Sequence, residues 1–373
     1  MGYEIDYLPI GQKSDDKSGD AIAMRFWDEI PDKSVVITID GGTRDSGVSL
    51  VEHIKKYYKT ETVNIAILTH PDADHASGLR DVLEQMQVGF LLSFVPWNHA
   101  KQILPIVQAS DSRVTESSIA KRLKEKYHAA VEAVELAEEK RVEIIEPFAY
   151  DKAITLTKST VAYFLGPSAN AYLTKWLPYY DCLPAKPTLA ALLKALVEKA
   201  EKAVKWVKET WDKELLVDPQ ADEVSAENNS SAILAVTQGE KRFLFCGDAG
   251  VPALTDALYF GQTLGLDQSG YTFFHVPHHG SRHNLGPSLL TSMFGGPRSS
   301  EGGSQGVTAF VSATKGDPKH PSRRVSNALC RRGVKVISTC GVAKYHYSSG
   351  SPDRGWSTAE PIPFYDSVED VDD

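Results

Sequence analysis

Apolar residues in this chain come in short runs separated by turn-forming residues. Runs rich in β-branched and aromatic side chains cover Val35–Ile39, Val63–Leu68, Phe90–Val95, Val142–Ile145, Ile154–Leu156, Thr160–Leu165, Ala232–Val236, Phe243–Phe245, Tyr271–Val276, Thr308–Val311, Val334–Ile337 and Lys344–Tyr347. Their length and composition predict strands. Many stop at Gly, Pro, Asp or His, as strands do when they deliver loops to one edge of a sheet. Apolar positions recur at helical spacing over Val48–Tyr58, Gly78–Gln85, Pro252–Leu258 and Arg323–Arg331. This mixture predicts an α/β protein with strands for at least two sheets.

Two stretches break the pattern. Residues 117–141 are charged and helix-favouring, and 188–215 carry Leu189, Leu192, Leu193, Leu196, Ala200, Ala203, Val207 and Trp211 in a helical stripe. Both predict long amphipathic helices, packed on the body or forming a lid or dimer arm. The domain expected is a single one over 1–373, with largely helical insertions at 100–141 and 168–226. The polar stretch Asp218–Glu227 reads as a return linker, and the acidic tail 367–373 is expected to fray. No internal repeat is visible.

Composition changes this picture little. The apolar fraction of 42% and charged fraction of 24% are those of a globular chain. The formal charge of -9 argues against a broad sequence-independent nucleic-acid binder but leaves room for a local basic groove. Met1–Asp6 has no basic region followed by an apolar run, and no apolar stretch is long enough to span a bilayer. Cys182, Cys246, Cys330 and Cys340 lack CxxC spacing and read as reduced, mostly buried thiols of a cytoplasmic protein. Without a secretory route, the sequons at Asn228 and Asn229 carry no glycan.

The chemistry concentrates at the ends of predicted strands. His70, Asp72, Asp74 and His75 follow Asn64–Leu68 directly, with the next helix expected to begin near Ser77. So dense a set of nitrogen and oxygen donors suits one or two divalent cations, although a polar β-to-α turn without metal is the competing reading. Gly247-Asp248 ends Phe243–Cys246, Pro277-His278-His279-Gly280-Ser281 ends Thr272–Val276, and Lys319-His320-Pro321 follows Val307–Val311. Four strand ends bearing His or Asp favour the metal reading.

Taken with Gly11, Ser18-Gly19-Asp20-Ala21-Ile22, Ile39-Asp40-Gly41-Gly42 and Asn228-Asn229-Ser230-Ser231, these motifs run in one order along nearly the whole chain. In that order they resemble the metallo-β-lactamase-fold hydrolases, and within them the soluble hydrolase domain of ComEC-type DNA-uptake proteins. The resemblance implies a metallo-β-lactamase-like four-layer αβ/βα sandwich with a one- or two-metal site where the sheets meet. It matches His70, Asp72, Asp74 and His75 to the first metal motif and Asp248 to the bridging aspartate. It matches His279, with His320 as the rival, to a later histidine ligand. Asp40 would orient a ligand histidine from behind. Asp72, and Asn228 with Asn229, stand where many members have histidine. These oxygen donors shift the expected metal toward Mn²⁺ or Mg²⁺ alongside Zn²⁺, and ComEC-type domains share the Asp72 substitution. The loop from Gly11 to Ser18 is longer than the turn expected there.

The activity so implied is hydrolysis of phosphodiesters, nucleic acid included, by a water whose pKa the metals lower. Asp74 then counts as a catalytic residue as well as a ligand. His278 and His320 are candidates to protonate the leaving oxygen, against readings as an orienter and a ligand. Lys319, Arg323 and Arg324 lead a basic cluster, continued by Lys315, Arg331, Arg332 and Lys335, that could hold phosphate or be a solvated helix face. The alternatives are a hydrolase of a small ester, lactone or phosphonate, and a metal-stabilised binding protein without turnover. A homo-oligomer or partner protein would dock through the helical insertions; no membrane partner is expected. Ser281 with His283, Cys182 and His99 form no recognisable catalytic set, and Gly302–Gly306 precedes a strand and so is no phosphate cradle.

Overall fold

The computed structural model describes residues 1–11, 18–183, 205–317 and 319–370. Its strands are β1 (Gly2–Tyr7), β2 (Ala21–Trp27), β3 (Val35–Gly41), β4 (Thr62–Leu68), β5 (Gln87–Ser93), β6 (Glu143–Ile145), β7 (Ile154–Thr155), β8 (Thr160–Gly166), β9 (Trp206–Lys208), β10 (Ile233–Gln238), β11 (Lys241–Phe245), β12 (Phe273–His275), β13 (Thr308–Val311), β14 (Lys335–Ser338), β15 (Lys344–Tyr347) and β16 (Ser367–Glu369). They form two seven-stranded sheets, ordered β15-β1-β2-β3-β4-β5-β6 and β14-β13-β12-β11-β10-β8-β7, with β9 and β16 pairing separately. Strands β3 to β6 run parallel in the first sheet and β11 to β14 in the second.

The period-2 rule explains the layering. Phe243 and Phe245 of β11, Phe273 of β12 and Phe310 of β13 join the core between the sheets, together with Tyr7, Ile22 and Phe26. Their neighbours Leu244, Phe274, Ala309 and Val311 point the other way, into a second core under the helices Val251–Thr263, Pro287–Phe294 and Arg323–Arg331. A strand buried on both faces reads as a continuous apolar run, which is why these were legible. The first sheet is covered by Arg44–His53, Leu79–Gln85 and His128–Glu139. The result is the expected four-layer αβ/βα sandwich. No helix among the described residues is long and apolar enough to cross a membrane.

β1 was not legible because its exposed-looking charges are buried. Glu4 pairs with Arg25, and Arg354 lies 2.6 Å from Asp6 and 3.1 Å from Glu4. Tyr58 donates its hydroxyl to Asp6 at 2.6 Å.

Several expectations are corrected. Residues 117–141 are not one helix: Glu116–Lys126 and His128–Glu139 meet at Tyr127, whose backbone leaves the helical region so that its hydroxyl reaches Glu227 at 2.8 Å. Of the predicted helix 188–215, residues 188–204 lie outside the described residues. The rest is extended: Val207 pairs with Val368 across β9 and β16, and Trp211 stacks on Phe364 at 4.4 Å. Helix in the 168–226 insertion is limited, among the described residues, to short turns between Ala169 and Tyr179 and the turn Ala226–Asn229. The acidic tail does not fray at 367–369, where Val368 is fully buried and Glu369 accepts from Ser322. Of the thiols only Cys246 is buried; Cys182 and Cys330 are half-buried and Cys340 is exposed.

Candidate metal centre

The parallel strands of both sheets deliver their C-terminal loops to one edge. The loop after β4 is pinned to the start of β10, where the Ala232 N–H donates to Thr69 O at 2.9 Å. Asp72 ends the extended segment and a helical turn begins at Ala73, earlier than the expected start near Ser77, with the His75 N–H donating to Asp72 O. This turn swings His75 back beside His70, their rings 4.2 Å apart. Gly247, at φ +49, turns the chain after β11; a Cβ there would stand 2.9 Å from Thr69 Cβ. That close approach sets Asp248 against the β4 loop.

Asp248 Oδ2 is the hub. It lies 3.5 Å from Nε2 of His75, 3.8 Å from Nε2 of His70 and 3.7 Å from Nε2 of His278. These spacings are long for hydrogen bonds. Donors that share a tetrahedral cation at about 2.0–2.2 Å each stand roughly 3.3–3.6 Å apart, close to what is observed. Nε2 of His70, Nε2 of His75 and Oδ1 of Asp248 are buried and without hydrogen-bond partners, which would be costly unless something else satisfies them. Asp72 Oδ2 lies 3.8 Å from His70 Nε2 on the open side. Asp74, His75 and His279 form a second group with donor atoms within 4.8 Å of one another, sharing His75 with the first group of His70, His75 and Asp248. The residues present fit one or two divalent cations.

Three of the four histidines are oriented from behind. Asp40 Oδ2 lies 2.8 Å from His75 Nδ1, while Asp40 Oδ1 accepts from the Thr69 N–H and Thr69 Oγ1 lies 3.0 Å from His70 Nδ1. His278 Nδ1 lies 2.8 Å from Asn284 Oδ1. His278 and His279 both sit in the left-handed region, at φ +48 and +55, a strained pair held where two imidazoles must face one cleft.

Electrostatics follow the geometry. Burial, reinforced by His75, pushes His70 down to about 4, so its ring is neutral and ready to ligate. Burial also pushes His279 down to about 4 against the pull of Asp248 and Asp20. Burial alone would lower His75, but Asp248 and Asp40 hold it well above the usual imidazole range. Asp248 stays well below the usual carboxylate range despite burial, because His75 and His278 face it. Asp72 is raised to about 6 by burial first, with Asp74 and Asp248 adding to the shift against His75.

The structure therefore brings together His70, Asp72, Asp74, His75, Asp248, His278 and His279. His278 stands beside Asp248, 3.7 Å from its Oδ2, but is in neither donor group. His320 belongs to neither donor group; its ring lies 6.4 Å from those of His278 and His279, with Nδ1 3.0 Å from Asp317 Oδ2. The Asn228 amide lies 3.3 Å from His278 Nδ1, and Asn229 donates to the carbonyls of Val224 and Ser225.

The basic cluster is the main correction. Arg324 is buried and donates to the carbonyls of Glu369 and Leu215. Arg323 lies over the rings of Trp206 and Tyr365 and donates to Ser367 O. Arg331 and Arg332 are fully buried against Glu209 and Glu214. These arginines clasp β9, β16 and their flanking segments onto the last helix, so they are not a phosphate-binding face. Lys315, Lys319 and Lys335 are exposed. A cavity of about 500 Å³ lies beside β14, among Trp211, Cys330, Lys335 and Phe364, and no histidine lines it.

Asp317, Asn284 and Thr69 were not found from sequence. Thr69 precedes the motif directly, but its role depends on contact with Asp40, which lies on a different strand. No family model matches this chain, and no curated protein sequence matches it. Among solved structures it is similar to the metallo-β-lactamase fold protein YhfI from Bacillus subtilis at 8% identity, covering 93% of this chain and 100% of that one with a TM-score of 0.40. It is similar to unliganded yeast PDE1 at 10% identity, over 90% and 97% of the two chains with a TM-score of 0.42. It is also similar to Zn²⁺-bound PqqB from Methylobacterium extorquens at 10% identity, over 91% and 99% with a TM-score of 0.40.

Proposed function

We propose that this chain is a divalent-metal-dependent hydrolase of phosphodiesters. The observation that carries the reading is the ring of imidazole nitrogens 3.5–3.8 Å from one Asp248 oxygen, with the partnerless buried atoms beside it. A purely structural cation would be enclosed on all sides, whereas His278 and Asp72 here are about a third exposed. With four imidazoles among the donors, Zn²⁺ is favoured over the harder cations, and Asp72 and Asp74 keep Mn²⁺ in play. When bound, such cations supply Lewis acidity and an activated water.

The protein's part is positioning and proton handling. His70, His75, His279, Asp74 and Asp248 would hold the metals, with His278 and Asp72 beside them, and Asp40 and Asn284 fix the rings of His75 and His278. His320 stands beyond the ligands with its Nδ1–H on Asp317, whose carboxylate would steady the imidazolium form that gives its Nε2 proton to the leaving oxygen. Lys319 is the exposed cation beside it. Because Arg323, Arg324, Arg331 and Arg332 are engaged elsewhere, the support for a long nucleic-acid groove falls away, and a short phosphodiester is the better substrate class. The test is a screen of Zn²⁺, Mn²⁺ and Mg²⁺ against bis(p-nitrophenyl) phosphate, cyclic and linear dinucleotides, single- and double-stranded nucleic acid, and a lactone. Hydrolysis of the short diesters is expected. Turnover of the lactone alone would overturn the substrate class.

A further inference from the structure

The loop that presents His278 and His279 carries one more charged side chain. It runs on through Ser281 and Arg282 to His283 and Asn284, and turn hydrogen bonds fix its shape. The Ser281 N–H donates to His278 O at 2.9 Å and the Asn284 N–H to Ser281 O at 3.2 Å. Its far end is held twice, by the Asn284 amide donating to Asp248 O at 2.7 Å and by His283 Nδ1 lying 2.5 Å from Glu223 Oε2. Arg282, between these anchors, is half-buried, and its guanidinium has no hydrogen-bond or ion-pair partner among the described residues. A cation taken partly out of water without a counter-charge is costly unless a ligand supplies one.

Arg282 lines a cleft of about 40 Å³ with Leu216, Val217, Pro219, Glu223 and Arg324. A water needs roughly 10–15 Å³ of such space, so the cleft takes about three waters or one small oxyanion. The acids nearby are already engaged. Glu223 is held by His283 and by the Gln220 N–H, and Glu369 accepts from Ser322 and the Arg323 N–H. Arg324 spends its hydrogen bonds on carbonyls and stands 4.0 Å from Asp370, so its charge adds a positive field behind the cleft. Burial loosens the proton of Arg282, Glu223 offsets this, and Arg324 adds to it.

Both walls of the cleft continue to the metal centre. Glu223 leads into the turn Ala226–Asn229, whose Asn228 amide lies 3.3 Å from His278 Nδ1. The Arg282 loop returns through Asn284, whose Oδ1 lies 2.8 Å from the same atom. Three residues span at most about 11 Å, so the Arg282 backbone stands within that distance of His279.

We propose that Arg282 is a specificity-determining residue: its guanidinium forks onto a second oxyanion of the substrate, a terminal phosphate carried beside the diester held at the metals. The proposal rests on the phosphodiester reading above and narrows it to short diesters with a phosphomonoester end. A planar guanidinium takes two oxygens of one phosphate at once, and a half-buried cleft strengthens both bonds relative to water.

The test compares linear dinucleotides that carry a terminal phosphate at the 5′ end, at the 3′ end, or at neither. Wild-type kcat/KM is expected to favour one phosphorylated form about 10- to 100-fold. Arg282→Gln is expected to raise KM for that form by about the same factor with kcat nearly constant. Arg282→Lys is expected to recover part of the preference, because ammonium keeps the charge and loses the fork. Inorganic phosphate, titrated calorimetrically into the chelated full chain where no metal competes for it, is expected to bind the wild type and not Arg282→Gln. Equal phosphate binding by both overturns the cleft as the site. A preference that survives in Arg282→Gln overturns the proposal, and absence of any preference in the wild type does so even if the variant does not fold. Phosphate bound through Arg282 with no preference among the dinucleotides makes this a site for free phosphate and overturns the substrate role. A wild type that hydrolyses none of the three fails at the phosphodiester reading and takes this proposal with it, whereas hydrolysis of all three with equal kcat/KM removes this proposal alone.

Discussion

Stripping and restoring the metal should move the thermal midpoint by an amount that can be worked out in advance. A cation that binds only the folded chain stabilises it by about 4.1 kcal/mol at a thousand times its dissociation constant. Unfolding entropy near 60 °C is about 2.1 cal/mol/K per residue, or roughly 0.8 kcal/mol per degree for a chain of 373 residues. One site should then raise the midpoint by about 5 °C, and two equivalent sites by about 10 °C. The shift also has a sign in pH. His75 is held well above its ordinary range by Asp248 and Asp40, so its proton stabilises the metal-free fold fully below the unfolded imidazole value. That contribution is lost as pH rises through the folded value, and a cation must displace the same proton. The gap between loaded and metal-free midpoints should therefore widen with rising pH. Scanning calorimetry after chelation, with Zn²⁺, Mn²⁺ or Mg²⁺ added back, measures it. No shift with any of the three, or an equal shift in Asp248→Ala and His75→Ala, would refute the site.

Three other outcomes are expected. Phe273→Ala removes a fully buried ring packed against Tyr7, Phe243, Phe245 and Phe310 between the sheets, and should cost about 3–5 kcal/mol in urea unfolding. Arg331→Ala strands the buried Glu209, 2.6 Å away, and should also cost about 3–5 kcal/mol, while kcat/KM for a short phosphodiester in the folded fraction stays unchanged. An activity loss without a stability loss there would restore the arginines as substrate contacts. His320→Ala should lower kcat for a diester with a poor leaving group about 10²- to 10⁴-fold, spare one with p-nitrophenolate, and leave metal affinity intact. Lost metal binding in that variant would make His320 a ligand.

The sequence by itself determined the elements that are buried on both faces and the loops that follow them. β4, β11, β12 and β13 are continuous apolar runs because helices cover one face and the other sheet covers the other, so no polar alternation hides them. His70, Asp72, Asp74, His75, Asp248 and His279 were legible because each lies at or just past the end of such a run. What needed the tertiary structure was every role set by a contact between distant segments. β1 reads as charged until Arg25 and Arg354 are seen to neutralise Glu4 and Asp6. The apolar spacing of Val207 and Trp211 suits a helix, yet Val368 and Phe364, about 160 residues later, capture it as a strand and a strap. The arginines of the last helix form a basic cluster in sequence, but their partners Glu209, Glu214 and Glu369 come from that strap and tail. His278, too, comes within 3.7 Å of Asp248 only because a left-handed backbone and Asn284 turn its Nε2 that way. Local patterning fixes which residues are apolar and where strands end; which charge meets which is decided only when the sheets close on each other.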